Sequence, residues 1–404
     1  MRRYGVQNPF KQLPAILCAC LLPTLIVFSG CAKPAEFELN AVHKLTLETE
    51  LLDGEPFPEK HVQQLGNTLT ALFGTADQPH VPTALAELVD LDRVQRAAGP
   101  VGSDADGNTV GLYRQHCAHC HGITGGGNGS TASSLNPYPR DFRMGRFKFK
   151  STKLYKPPTD SDLRRILKRG IAGTSMPSFD LLPKDDIDAL VDYVKYLSVR
   201  GQVERALLQE MTDLDAEDDL MATKSAVDEE EYSFQIELLL ETVEDVISPW
   251  TKTKDYVIPV TGKPRDFSIR IRLSLLGQEL FFGKANCVQC HGETGVGDGQ
   301  TENYDDWTNE WLKRANLDPY NPDELQPFLD LGALPPRKIR PRNLRYRVLR
   351  GGSRPEDLFR RIKGGIEGTS MPSSISLTEF EVWCLVSYVL ELPYTEYVDE
   401  SGEQ

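Results

Sequence analysis

The sequence predicts an all-α protein with two related helical domains in tandem. A long stretch recurs with its order of motifs intact, apolar residues fall at helical spacing in both copies, and 404 residues exceed what one hydrophobic core usually organises. Composition is that of a globular chain, 40% apolar and 26% charged. The 59 acidic residues outnumber the 45 basic ones, for a net charge of -14. A nucleic-acid binder needs the opposite balance, because its affinity comes from cations that displace phosphate counterions. No nucleic-acid partner is expected.

Residues 1–30 stand apart. Arg2, Arg3 and Lys11 precede the apolar run LPAILCACLLPTLIVFSG, and the first acidic residue is Glu36. A basic start before an apolar stretch that is short and broken by proline reads as an export signal peptide. The run closes with Phe28-Ser29-Gly30-Cys31, which resembles the processing site of bacterial lipoproteins. That resemblance implies a lipid anchor on Cys31 as the new N-terminus and an exported protein of the periplasm or cell envelope. Several acyl chains on one cysteine would hold it at a membrane stably, which a single chain would not. Simple cleavage and an uncleaved N-terminal helix are the other readings. Residues 31–104 carry no chemical motif. Their apolar fragments LGNTLTALFG and ALAELVDL, with proline-rich breaks, read as a spacer or as an N-terminal cap on the first domain.

Of eight cysteines, Cys18 and Cys20 leave with the signal and Cys31 is the lipid site. Four more form Cys117-Ala118-His119-Cys120-His121 and Cys287-Val288-Gln289-Cys290-His291. C-x-x-C-H is the pattern of thioether haem attachment: two thiols on one helical turn reach two vinyl groups, and the adjoining histidine points its imidazole at the iron. Each motif therefore predicts one covalently attached haem c. Zinc would want four ligands from paired sites, which leaves both motif histidines unexplained. A thioredoxin-like pair would want alternating strands and helices, and the surroundings are helical and glycine-rich.

A second ligand candidate follows each motif, in Gly173-Thr174-Ser175-Met176-Pro177 and Gly368-Thr369-Ser370-Met371-Pro372. A thioether is a soft, neutral ligand that favours ferrous iron and raises the potential. The repetition extends further. HGITGGGNG and HGETGVGDG follow the two motifs, PRDF at 139–142 answers PRNL at 341–344, and DLRRILKRGIAGTSMPSF from Asp162 matches DLFRRIKGGIEGTSMPSS from Asp357. The glycines would let a tight loop pass against the macrocycle edge.

Each repeat resembles the class I, monohaem cytochrome c domain, over residues 105–200 and 274–395. The resemblance implies two cytochrome c-like helical domains in tandem and outer-sphere electron transfer. It assigns Cys117, Cys120, His121 and Met176 to the first haem, and Cys287, Cys290, His291 and Met371 to the second. Helical periodicity agrees: Leu163, Ile166 and Leu167 line the helix before the first Met loop, and Leu358, Phe359 and Ile362 the second. Closing stripes run through Ile187, Leu190, Val191, Val194 and Leu197, and through Phe380, Trp383, Val386, Val389 and Leu390.

The copies differ in length. His121 to Arg140 spans 19 residues and His291 to Arg342 spans 51, so the second domain carries an insertion at about 300–336 with two tryptophans, expected to shield the haem or form a docking surface, or else to be a surface insertion of no consequence. The stretch between PRDF and Asp162 is seven residues longer than its counterpart. Arg140 and Arg342, at equivalent positions, are candidates to pair with haem propionates, or are simply solvated. His116 and His119 face away from the iron, and Cys384 reads as a buried thiol. Residues 201–273 form an acidic helical linker, with ten acidic residues and one lysine in 210–231, and 396–404 a flexible tail. The basic runs 140–156 and 337–363 would steer an acidic redox partner, or neutralise propionates or the linker.

The leading expectation is an electron relay rather than an enzyme, alone or as a subunit of a membrane respiratory complex, serving redox partner proteins. Two His/Met sites leave no position open for substrate. The alternatives are a dihaem cytochrome c peroxidase-like enzyme, which needs one haem that opens, and a haem-based sensor.

Overall fold

A computed structural model describes residues 35–103, 109–222, 228–264, 270–299 and 303–395. The expected signal peptide, Cys31 and the expected tail at 396–404 lie outside the described residues. The order is α1 (Ala41–Leu51), α2 (Glu59–Phe73), α3 (Leu91–Ala97), a two-residue antiparallel ribbon of β1 (Gly102–Ser103) and β2 (Thr109–Val110), α4 (Leu112–His116), α5 (Ala118–His121), α6 (Asp160–Arg169) and α7 (Lys184–Glu210). Then follow α8 (Glu229–Thr251), α9 (Arg270–Phe282), α10 (Val288–His291), α11 (Asp306–Leu312), α12 (Pro322–Asp330), α13 (Pro355–Gly364) and α14 (Glu379–Glu391). The all-α expectation holds, with that one small ribbon among the described residues. No helix among them is long and apolar enough to cross a membrane.

Local chemistry sets the helix starts. Thr159 with Asp162 and Thr378 with Glu381 close capping boxes on α6 and α14, and Asp90 and Asp228 cap α3 and α8, so amide donors that lack helical partners are satisfied. Glycine residues with positive φ end both four-residue helices at Gly122 and Gly292 and turn the chain back on itself.

In the first repeat, α7 is the axis of the core. Its predicted stripe is buried, and the helix continues past residue 200 because Val203, Leu207 and Leu208 extend the apolar face. Residues expected as a spacer or cap join this core: Leu47, Phe57, Leu65, Leu69, Phe73 and Val94 cluster with Ile187, Leu190 and Tyr196. The second half of the expected linker does so too, since α8 contributes Leu239, Val243, Ile247 and Trp250. α4 is only five residues long, and α3 packs along α7.

In the second repeat α9 lies along α14. They cross at Gly277, where a Cβ would sit 2.6 Å from the carbonyl carbon of Cys384 and 2.8 Å from Tyr388 Cβ. Trp383, Val386 and Val389 are buried as predicted, but Phe380 is 56% exposed. The first turn of α14 is given to capping, and the buried stripe begins at Val382.

The insertion packs onto the first repeat. Trp307, Trp311, Leu312, Leu325 and Phe328 cluster with Val42 and Ala132, so α11 and α12 strap the second repeat onto the first.

Candidate functional site

α5 and α10 are single helical turns, each with a motif cysteine at the N-cap and the motif histidine at the last position. His121 Nδ1 lies 3.0 Å from the carbonyl oxygen of Arg140, and His291 Nδ1 lies 3.2 Å from that of Arg342. A carbonyl only accepts, so each Nδ1 carries the proton and each Nε2 keeps its lone pair for a metal. Burial pushes His121 down to about 4 and lowers His291, so both imidazoles are neutral at pH 7. Phe142 stacks on His121 with 4.5 Å between centroids, and the Phe281 ring lies 6.4 Å from His291. Burial also pushes the thiol of Cys117 up to about 12 and that of Cys287 to about 11.

The glycine-rich loops are held identically. Gly127 N and Gly297 N each donate at 2.9 Å to the carbonyl of the motif histidine, while Phe142 N and Leu344 N each donate at 2.8 Å to Gly125 and Gly295. At Gly127 a Cβ would lie 2.8 Å from the Pro139 carbonyl oxygen, so the glycine admits the backbone that carries the histidine's acceptor.

Each Met loop closes on itself through a threonine. Thr174 Oγ1 donates to Ile171 O at 2.7 Å and accepts from Met176 N at 3.1 Å; Thr369 repeats this with Ile366 at 2.7 Å and Met371 at 3.2 Å. These threonines were missed as site residues, although the identical string GTSMP in both copies was the signal. Cys117 and Met176 border one apolar cluster, and Cys287 and Met371 border the other. Among the described residues no three His, Cys, Asp or Glu side chains converge as a metal site, so the four motif cysteines do not share a tetrahedral centre.

The two candidate arginines differ in their side chains. The guanidinium of Arg140 is bound to Asp306 of the strap at 2.7 Å. Arg342 donates from Nη2 to Val348 O at 3.2 Å and lies over the Tyr346 ring, while its buried Nε has no hydrogen-bond partner. Arg350 likewise has a buried, unpartnered Nε. Burial, together with neighbouring Arg140, pulls the Lys148 ammonium down to about 8. Unpartnered buried guanidinium N–H groups among mutually repelling cations fit carboxylate groups such as haem propionates.

Residues 106–194 match the family described as cytochrome C oxidase, cbb3-type, subunit III, and residues 274–393 match the cytochrome c family. Both repeats are cytochrome c-type regions. With that comes the capacity to bind haem and a general role in redox chemistry. A chain of the Kuenenia stuttgartiensis reducing HAO-like protein complex is similar at 24% identity, covering 72% of this chain and 98% of that one, with a TM-score of 0.44. No curated protein matches the chain.

The two cytochrome c-type regions meet through their Met loops. Gly173 faces Arg342, whose Nη2 would lie 3.2 Å from a Cβ there, and its carbonyl accepts from Arg350 Nη2 at 3.2 Å. At the equivalent Gly368 a Cβ would lie 2.6 Å from Asp306 Cγ, and Asp306 holds Arg140. Each Met loop therefore abuts the segment that supplies the other repeat's histidine acceptor, directly in one case and through Asp306 in the other. Trp307 Nε1 adds a bond of 2.9 Å to Gly126 O. Some residues of the basic runs are ion-paired within the chain: Arg146 faces Asp306 and Glu310, Lys150 pairs with Glu367, and Arg354 pairs with Asp357.

Proposed function

We propose that the chain is an electron relay carrying two covalent haem c groups, exported and held at a membrane through Cys31. The fit is tested by the donor set. Cys117 and Cys120, and Cys287 and Cys290, offer thiols one helical turn apart. His121 and His291 offer neutral Nε2 lone pairs, and Met176 and Met371 offer soft thioethers. A bound haem supplies a one-electron iron couple.

The chain's own residues do the rest. The carbonyls of Arg140 and Arg342 orient the imidazoles and raise their basicity. Thr174 and Thr369 pre-organise the Met loops, which keeps reorganisation on electron transfer small. Arg342 and Arg350 are the side chains suited to hold propionates. The observation that carries the reading is the reciprocal seating of each Met loop near the other repeat's histidine-holding segment, which supports two neighbouring centres in one chain. A family of oxidase subunits matched by the first repeat supports service to a membrane respiratory complex with redox partner proteins.

The test is a redox titration of the purified mature protein followed by optical and paramagnetic resonance spectra, with haem quantified per chain. Two low-spin haems and a methionine-to-iron band in the ferric state are expected. One high-spin, peroxide-reactive haem would replace the relay with a dihaem peroxidase-like enzyme.

A further inference from the structure

Glu367 stands one residue before the Gly368-Thr369-Ser370-Met371 string, and its carboxylate is buried in an ion pair with Lys150 of the first repeat. The two side chains are 4% and 2% exposed, Lys150 first. Tyr155 N also donates to Glu367 at 3.3 Å, and the Lys150 ammonium donates to the carbonyl of Lys156. The whole clamp belongs to the stretch that is seven residues longer in the first repeat. In the first repeat the residue equivalent to Glu367 is Ala172, which is exposed. The two Met loops share their internal hydrogen bonds; the first receives Arg350 on the Gly173 carbonyl, whereas the second is gripped through a buried side-chain ion pair from across the junction.

A buried ion pair contributes little net stability, because desolvation offsets most of its attraction, but it fixes geometry where its hydrogen bonds are complete. We propose that Lys150 and Glu367 are a positioning pair that holds Met371 in place as the sixth ligand of the second haem, so that ligation in one repeat depends on a side chain of the other. The inference rests on the two-haem reading.

The experiment uses the full chain with Met176→Leu, in which the methionine-to-iron band comes from Met371 alone. Two haems per chain and a persisting band establish the background; fewer than two haems overturns the two-haem reading itself, and two haems without the band overturns the positioning role by removing Met371 as a ligand. On that background Lys150→Met is expected to lower the band about fivefold or more at unchanged haem and helix content, a population shift toward the detached loop, and Lys150→Arg to restore most of it. An undiminished band in Lys150→Met overturns the positioning role. Should the lone buried carboxylate in Lys150→Met prevent folding, Lys150→Met with Glu367→Met removes both charges. A low band in that protein supports the proposal, and a band at the parental level overturns it.

Discussion

His43 lies 3% exposed in α1, its Nδ1 3.9 Å from Glu310 and without a hydrogen-bond partner. Burial, and then Arg205, Arg314 and Arg143, push it down to about 2. The unfolded chain takes up a proton near pH 6.5 that the folded chain refuses, so stability contributed by this site is present above that value and declines as pH falls below it. The expected slope is about 1.4 kcal/mol per pH unit below 6.5. Urea unfolding at pH 7.5 and 5.5 checks it: the loss should shrink in His43→Leu, and an equal loss in both proteins counts against this assignment. Arg342 gives a second residue-scale prediction. Removing a cation beside a haem favours the ferric state, so Arg342→Gln should lower one potential by roughly 30–60 mV, a factor of about three to ten, while Arg342→Lys retains most of it. Potentials within a few millivolts of wild type would argue against a propionate at this side chain. Of these features the sequence made the arginine legible and its most evident service illegible. The Arg140 and Arg342 carbonyls hold the histidines, and a backbone acceptor leaves no mark on residue type.

Elements were legible where periodicity and motif coincided. α6, α13, α14 and the start of α7 were readable because apolar spacing and the repeated Met string agree along the chain. What a stripe cannot say is which surface buries it. The two tryptophans of the insertion, Trp307 and Trp311, were read only as a shield, a docking surface or a surface insertion, and it is the fold that buries them against the first repeat. Likewise α3 takes the place along α7 that α9 holds along α14, because α4 is too short to do so. Two glycines in helices make the difference between space and contact testable. Gly277→Ala drives a methyl into the backbone of α14, an obstacle that cannot rotate away, and should cost about 1–3 kcal/mol despite alanine's better helix propensity. Gly66→Ala in α2 meets nothing within 4 Å and should stabilise by about 0.5–1 kcal/mol. Denaturant midpoints of opposite sign are the expected result, and two shifts in the same direction would contradict the packing described at Gly277.

Across the whole molecule, the two departures from repeat symmetry are where the halves hold each other. The extra residues of the second repeat form the strap on the first, and the clamp on the second Met loop comes from the stretch that is seven residues longer in the first. Charges at this junction are sheltered: Lys150 and Glu367 are 4% and 2% exposed, and Arg140 and Asp306 are 18% and 8%. Salt screens exposed charges beyond a Debye length of about 8–10 Å and acts much less on buried pairs. On the two-haem proposal, exchange of an electron between the haems should therefore be first order, independent of protein concentration, and unchanged within about twofold between low and high salt. Reduction by an external partner guided by surface charge should instead change several-fold over the same range. Rapid partial reduction followed by optical redistribution between the haems measures the first rate, and stopped-flow mixing with the partner measures the second. An internal rate that falls with salt as steeply as the external one would mean that the repeats separate in solution, and that the Met loops do not stay seated against the opposite repeat.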